Sequence, residues 1–233
     1  MHKSHILQKH IDVVTRRNGK PHSITSFDAA STALVVIDMQ NYYMLEGHAA
    51  CSAGAPDIVP NVNRLTTAVR AAGAKVLWAR NIAKPEMFES WSVRYDAFTP
   101  ERCQSRLTDL SSDGLGYQFW PELEILPNDI QFDKLRYSAL VPGASNLEEI
   151  LGEHGIDTII ICGVATNVCV ESTARDAMMM NYRVLMVSDC CATDSDEEHN
   201  GTLNNFYRHF GDVQSCDETI AMLEASAKAA AAE

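Results

Sequence analysis

Three residues of this 233-residue chain could share one reaction: Asp38, Lys134 and Cys169. Cys169 lies just beyond the apolar run Ile159, Ile160, Ile161 and Cys162, where Gly163 breaks the run and a buried strand turns into a helix. The unpaired backbone N–H groups of a helix N-terminus favour a thiolate and can hold a developing oxyanion. A cysteine there either reacts or only fills space, because cysteine is among the residues most often buried. Asp38 ends a second apolar run, Ala33 to Ile37, and could otherwise cap the turn that follows. Lys134 follows what reads as a short strand, Asp129 to Phe132. Their chemistry is complementary: a carboxylate takes the thiol proton, an ammonium stabilises the anions formed, and the sulfur attacks an amide carbonyl. Histidine is the more usual base beside a cysteine, but none of the eight histidines follows a strand. His199 and His209 fall within a helix and read as surface or packing residues.

The elements around these residues must bring them together. Ala33 to Ile37 is the continuous apolar run of a strand buried on both faces. A loop from Gly47 to Pro60 leads to Ile58, Val62, Leu65, Val69 and Ala72 at helical spacing, closed by Gly73. Lys75 to Arg80 is the next strand, with Asn81 at its end. A helix through Leu147, Ile150 and Leu151 ends at Gly155 before the Ile159 strand. After Cys169 a helix runs through Ala174, Ala177 and Met178, then a strand from Arg183 to Val187 ends in Ser188 and Asp189. Glu197 to Phe210 reads as a helix, Val213 starts a last short strand, and Thr219 to Ala232 is an Ala-rich terminal helix. Strands alternating with helices imply an α/β, three-layer Rossmann-like fold with a mainly parallel sheet, whose ligands bind at the carboxyl ends of strands. Asp38, Lys134 and Cys169 would all sit on that edge.

Two segments fall outside the alternation. Residues 1–30 are polar without a sustained period and read as an arm, lying over the domain or over a neighbouring subunit, ahead of a single domain spanning 31–233. From Ile82 to Asp129 the pattern weakens into a long stretch rich in aromatics and broken by Pro85, Pro100 and Gly114. Long irregular segments in compact domains are usually functional, so this one is assigned to the pocket wall and lid.

Bulk properties exclude several function classes. A net charge of −12 argues against nucleic acid or an anionic membrane as partner. No apolar run approaches the length of a membrane span. Met1 to Arg17 carries five charged residues and three histidines instead of an apolar leader, so a cytoplasmic location is expected. Seven cysteines without a CxxC pair suit neither a disulfide framework nor a zinc site. All except Cys169 read as packing or surface thiols. Neither GxGxxG nor GxxxxGK follows any strand, which weakens a dinucleotide or nucleotide reading.

The motifs Val35-Val36-Ile37-Asp38-Met39-Gln40, Lys134 with Tyr137-Ser138, and Gly163-Val164-Ala165-Thr166-Asn167-Val168-Cys169-Val170-Glu171-Ser172-Thr173, in that order, resemble the isochorismatase-like cysteine hydrolases over residues 30 to 220. The resemblance implies a six-stranded parallel sheet and a catalytic triad of Asp38, Lys134 and Cys169. It also implies a cis Val164-Ala165 peptide and an oxyanion hole from the N–H groups of Ala165 and Cys169. Within the family, Arg136-Tyr137-Ser138, the Cys169 motif and Arg175-Asp176 are similar to ureidoacrylate amidohydrolase and its relatives acting on biuret, triuret and N-carbamoyl compounds, though the lid around Ser90-Trp91-Ser92 departs from that pattern. By that similarity Gln40, Tyr43, Asn81, Trp91 and Tyr137 would line a substrate site. The activity implied is cleavage of a C–N bond through a thioester, without metal or organic cofactor, in a homo-oligomer. The metal-binding Asp and two His of the nicotinamidases are not found after Asp38 and Asn81, which counts against that branch, and a silent binding protein of the same fold is the alternative of another class.

Overall fold

The computed structural model describes residues 1–231 apart from 49 and 53. Six strands, β1 (Thr32–Ile37), β2 (Lys75–Asn81), β3 (Ile130–Lys134), β4 (Thr158–Val164), β5 (Arg183–Ala192) and β6 (Asp212–Gln214), form one sheet in the order β3-β2-β1-β4-β5-β6. Every pairing is parallel. All six residues of β1 and all seven of β4 are buried, as their continuous apolar runs require of strands covered on both faces.

The helices are α1 (Gln8–Asn18), α2 (Asn41–Met44), α3 (Val59–Ala71), α4 (Met87–Ser90), α5 (Ser92–Tyr95), α6 (Pro100–Asp109), α7 (Leu147–Glu153), α8 (Glu171–Met179), α9 (Asp196–His209) and α10 (Cys216–Ala230). The chain winds outward from β1 to β3, returns to the centre, and winds the other way from β4 to β6. Right-handed crossovers then set the two groups of helices on opposite faces. α3 and α10 pack together on one face, and α8 and α9 pack together on the other. The winding reverses between β1 and β4, which opens the crevice where ligands of such sheets bind. Asp38 follows β1 and Cys169 follows β4, so both stand at that crevice.

Four expectations from the sequence need correction. The arm is not without regular structure, because it carries the eleven-residue α1 closed by Gly19 at φ 75°. It lies on its own domain: His5 and Leu7 donate backbone N–H groups to Asn200 and Asn204 of α9, at 2.6 and 2.7 Å. The stretch from Ile82 to Asp129 is not irregular throughout, since it folds into α4, α5 and α6. β5 runs on through Ser188 and Asp189 to Ala192, because its pairing with β4 shifts register between Ile161 and Gly163. Lys134 is the last residue of β3 instead of lying beyond it. The expected loop Gly47 to Pro60 contains residues 49 and 53, and the terminal helix was expected to reach Ala232. These three residues lie outside the described ones.

One glycine controls the crevice. Gly163 pairs with Ile37 and adopts φ 115°, and a Cβ there would come within 2.1 Å of the Ile37 carbonyl oxygen. Only a residue without a side chain lets the carboxyl ends of β1 and β4 approach this closely. Gly163→Ala is expected to cost about 3 kcal/mol or more in urea unfolding, from backbone strain and overpacking together. A loss below about 1 kcal/mol would show that the two strand ends can separate freely.

Candidate active site

Asp38 has φ 51°, a left-handed conformation that aspartate tolerates better than most residues and that swings its carboxyl off the line of β1. Its side chain is fully buried, as is that of Lys134, and Lys134 Nζ lies 2.8 Å from Asp38 Oδ2. β2 separates β1 from β3, so the Lys134 stem, the 2.8 Å contact and the Asp38 side chain together bridge two strand spacings, about 9.6 Å. Its long stem makes that reach. The ammonium also donates to the carbonyls of Arg136 at 2.9 Å and Tyr137 at 3.2 Å, which fixes its direction. The Asp38 carboxylate is thus met by the Lys134 ammonium and by the Cys169 thiol. Lys134 holds the carboxylate on one side and Cys169 faces it on the other.

Cys169 reaches the same point from the other side of β1. After β4 the Val164-Ala165 peptide is cis, and residues Thr166–Val170 make one wide turn in which Val170 N–H donates to Ala165 O at 3.2 Å. Such π-type turns recur at functional sites. The thiol, 4% exposed, faces both Asp38 and Lys134.

The electrostatics correct one sequence argument. A helix N-terminus alone would favour a standing thiolate, yet burial, offset in part by Lys134 and reinforced by Asp38, pushes the Cys169 thiol up to about 12. Burial also raises Asp38 despite the opposing pull of Lys134. Burial would lower Lys134, but Asp38 and Cys169 outweigh it and hold the ammonium charged. The raised thiol and the charged ammonium therefore stand on either side of a carboxyl with increased proton affinity.

Cys169 and Ala165 line a cavity of about 300 Å³, together with Tyr43 and Tyr137. Gln40, Asn81 and Trp91 do not line it. Gln40 is fully buried, donating from Nε2 to the carbonyls of Asn81 and Tyr117 and accepting the Asn81 N–H, so it ties the end of β1 to β2 and to the lid. Asn81 Oδ1 accepts from Arg106 at 2.6 Å. Trp91 stands behind Tyr137, edge to face at 4.9 Å.

Arg94, Phe98, Arg102 and Arg106, all from the stretch assigned to the pocket wall, line it too, though no arginine stood out singly in the sequence; Ser52, whose buried hydroxyl has no partner among the described residues, carried no sequence signal. A signal for α6 was present. Thr99 accepts from the Arg102 N–H and Pro100 opens the helix, a start pattern that sets Arg102 and Arg106 one turn apart on one face. Cys51 also lines this cavity, while Cys162, Cys190, Cys191 and Cys216 are buried away from it. His199, read as packing, is buried and bonded to Thr166 and Ser4, and burial lowers it to about 4. It is neutral and does not reach the cavity.

The isochorismatase domain model matches residues 32–218, which contain all three residues of the buried cluster. The chain belongs to the isochorismatase family. It is 33% identical over 204 residues to the ureidoacrylate amidohydrolase RutB of Pseudomonas savastanoi pv. phaseolicola, covering 80% of this chain and 81% of that one. A cysteine hydrolase from Pseudomonas syringae pv. phaseolicola 1448A superposes with a TM-score of 0.77 at 27% identity, over 86% of this chain and 95% of the other. The N-carbamoylsarcosine amidase of Thermoplasma acidophilum superposes with a TM-score of 0.63 at 25% identity, over 80% and 97%. The six-stranded parallel sheet is the fold that this isochorismatase-family chain shares with them.

Removing one partner of the buried pair tests its electrostatics. Lys134→Met should cost about 3–5 kcal/mol at pH 7 in urea unfolding, because it strands a buried carboxylate. The stranded Asp38 has its folded-state pKa raised above the unfolded value of about 3.9, so the folded state binds the extra proton. The deficit should therefore shrink as pH falls from 7 toward about 4.5. A loss independent of pH over that range would contradict the charge assignment.

Proposed function

We propose that this chain is a cysteine amidohydrolase that cleaves a C–N bond of a small ureido or carbamoyl compound. The observation that carries the reading is the convergence of Asp38, Lys134 and Cys169 on one buried point beside a cavity of about 300 Å³. That volume is at the low end for ligand pockets and suits a small substrate. The relatives named for ureidoacrylate and N-carbamoylsarcosine support the carbamoyl class.

In this reading Cys169 Sγ attacks the carbonyl carbon while its proton passes to Asp38, which avoids a free thiolate in a site that disfavours one. The backbone N–H groups of Ala165 and Cys169 receive the oxyanion, and the Lys134 ammonium balances the negative charge created in the buried site. As the C–N bond breaks, Asp38 returns the proton to the leaving nitrogen. Water then attacks the thioester, Asp38 accepts its proton, and the thiol is restored. Tyr43 and Tyr137 shape the substrate's surroundings. Gln40, Asn81 and Trp91 act one layer out, by holding the strand ends, Arg106 and Tyr137 in place.

A metal-bearing carboxamide amidase is the competing reading within the family. Its Asp and two His are not found in the sequence after Asp38 and Asn81, which favours the carbamoyl reading.

An ammonia-release screen over biuret, triuret, ureidoacrylate, N-carbamoyl amino acids and nicotinamide tests the proposal. Turnover is expected for at least one carbamoyl compound and not for nicotinamide. Cys169→Ser should keep the unfolding midpoint and lose at least about 10³-fold in kcat. Activity close to wild type in that variant would exclude the mechanism.

A further inference from the structure

The walls of the cavity carry more positive charge than the reaction uses. α6 sets Arg102 and Arg106 one turn apart, α5 adds Arg94, and all three line the space that Cys169 opens into. This local excess runs against the chain as a whole, whose net charge is −12.

Arg106 is the most telling of the three. It is only 7% exposed, and its guanidinium is held by the neutral Asn81 Oδ1 at 2.6 Å and by Tyr43. Among the described residues no ion pair includes Arg106 or Arg94. Asp38 lies close enough for Arg106 to be felt, but its charge is already matched by Lys134. Taking a guanidinium out of water without a counterion is expensive, and such a charge persists where an anion arrives to meet it.

Arg94 is held differently, over the Phe98 ring at 3.8 Å from its centroid and over Tyr137 at 5.3 Å. Aromatic faces orient a cation without neutralising it. The lining includes one carboxylate, Asp194, which is exposed.

We propose that the compound cleaved at Cys169 carries a carboxylate, held by Arg94 and Arg106 with Arg102 at the rim, while its carbamoyl carbonyl faces the sulfur. The substrate class is then an N-carbamoyl acid, not an uncharged urea. The inference rests on the amidohydrolase reading above and narrows it. A planar guanidinium fork matches a carboxylate in two parallel hydrogen bonds, and an uncharged substrate of the same shape would leave the buried fork unmatched.

The test reads binding apart from turnover. Calorimetry on Cys169→Ser protein compares N-carbamoylglycine with isobutylurea, and N-carbamoyl-β-alanine with isopentylurea, the second of each pair being an uncharged compound of nearly the same shape. At least one acid should bind about 30-fold or more tightly than its uncharged counterpart. Loss of a buried guanidinium can unfold a chain, so the deciding variant is Arg94→Gln/Arg102→Gln, made in the same background, rather than Arg106→Gln. In it the preference should fall about threefold or more, with Arg106 keeping the remainder. Equal affinity for acid and uncharged compound, including no binding of either, overturns the proposal, as does a preference that this variant leaves unchanged. An enzyme that binds the acids but releases no ammonia from any carbamoyl compound would instead overturn the amidohydrolase reading alone.

Discussion

The structure depends on one contact, the buried approach of Lys134 to Asp38. Removing two ions from water costs several kcal/mol each, and their attraction repays this only when geometry and hydrogen bonding are good. Such a pair is a poor source of stability, and well-packed apolar residues would serve the core as well. What the pair supplies is a carboxyl with raised proton affinity, held by its neighbour and set against a thiol. The scaffold is arranged to hold it. Three strands set the spacing, the Arg136 and Tyr137 carbonyls aim the ammonium, the left-handed turn at Asp38 aims the carboxyl, and Gly163 allows β4 to deliver the thiol.

In the proposed reaction this arrangement lets a thiol serve without a histidine beside it. The Cys169 proton is held tightly, so nucleophilicity is not stored in the resting site. It is generated when a carbonyl is present and the proton has somewhere to go.

The centre of the molecule was legible in the sequence because its strands are buried on both faces. Ala33 to Ile37 and Ile159 to Cys162 admit no polar residue until the strand ends, so Asp38 and the Cys169 turn mark themselves as breaks in an apolar run. The lid was not legible in the same way. α4 and α5 are single turns, too short for a helical period, and α6 presents a polar face whose arginines turn toward a cavity instead of water. Gln40 and Asn81 misled for a related reason. A polar residue at a strand end can face a ligand or satisfy backbone groups, and only the fold shows that Gln40 spends its whole amide on the carbonyls of Asn81 and Tyr117 and the Asn81 N–H.

The central claim is that Asp38 activates a thiol that does not ionise by itself, and the rate of Cys169 alkylation by iodoacetamide at pH 7, read by mass spectrometry of the modified peptide, tests it most directly. Rapid modification of Cys169 is expected in the wild type, with a fall of about 100-fold or more in Asp38→Asn, where the carboxamide cannot accept the proton. Equal rates in the two proteins would contradict it.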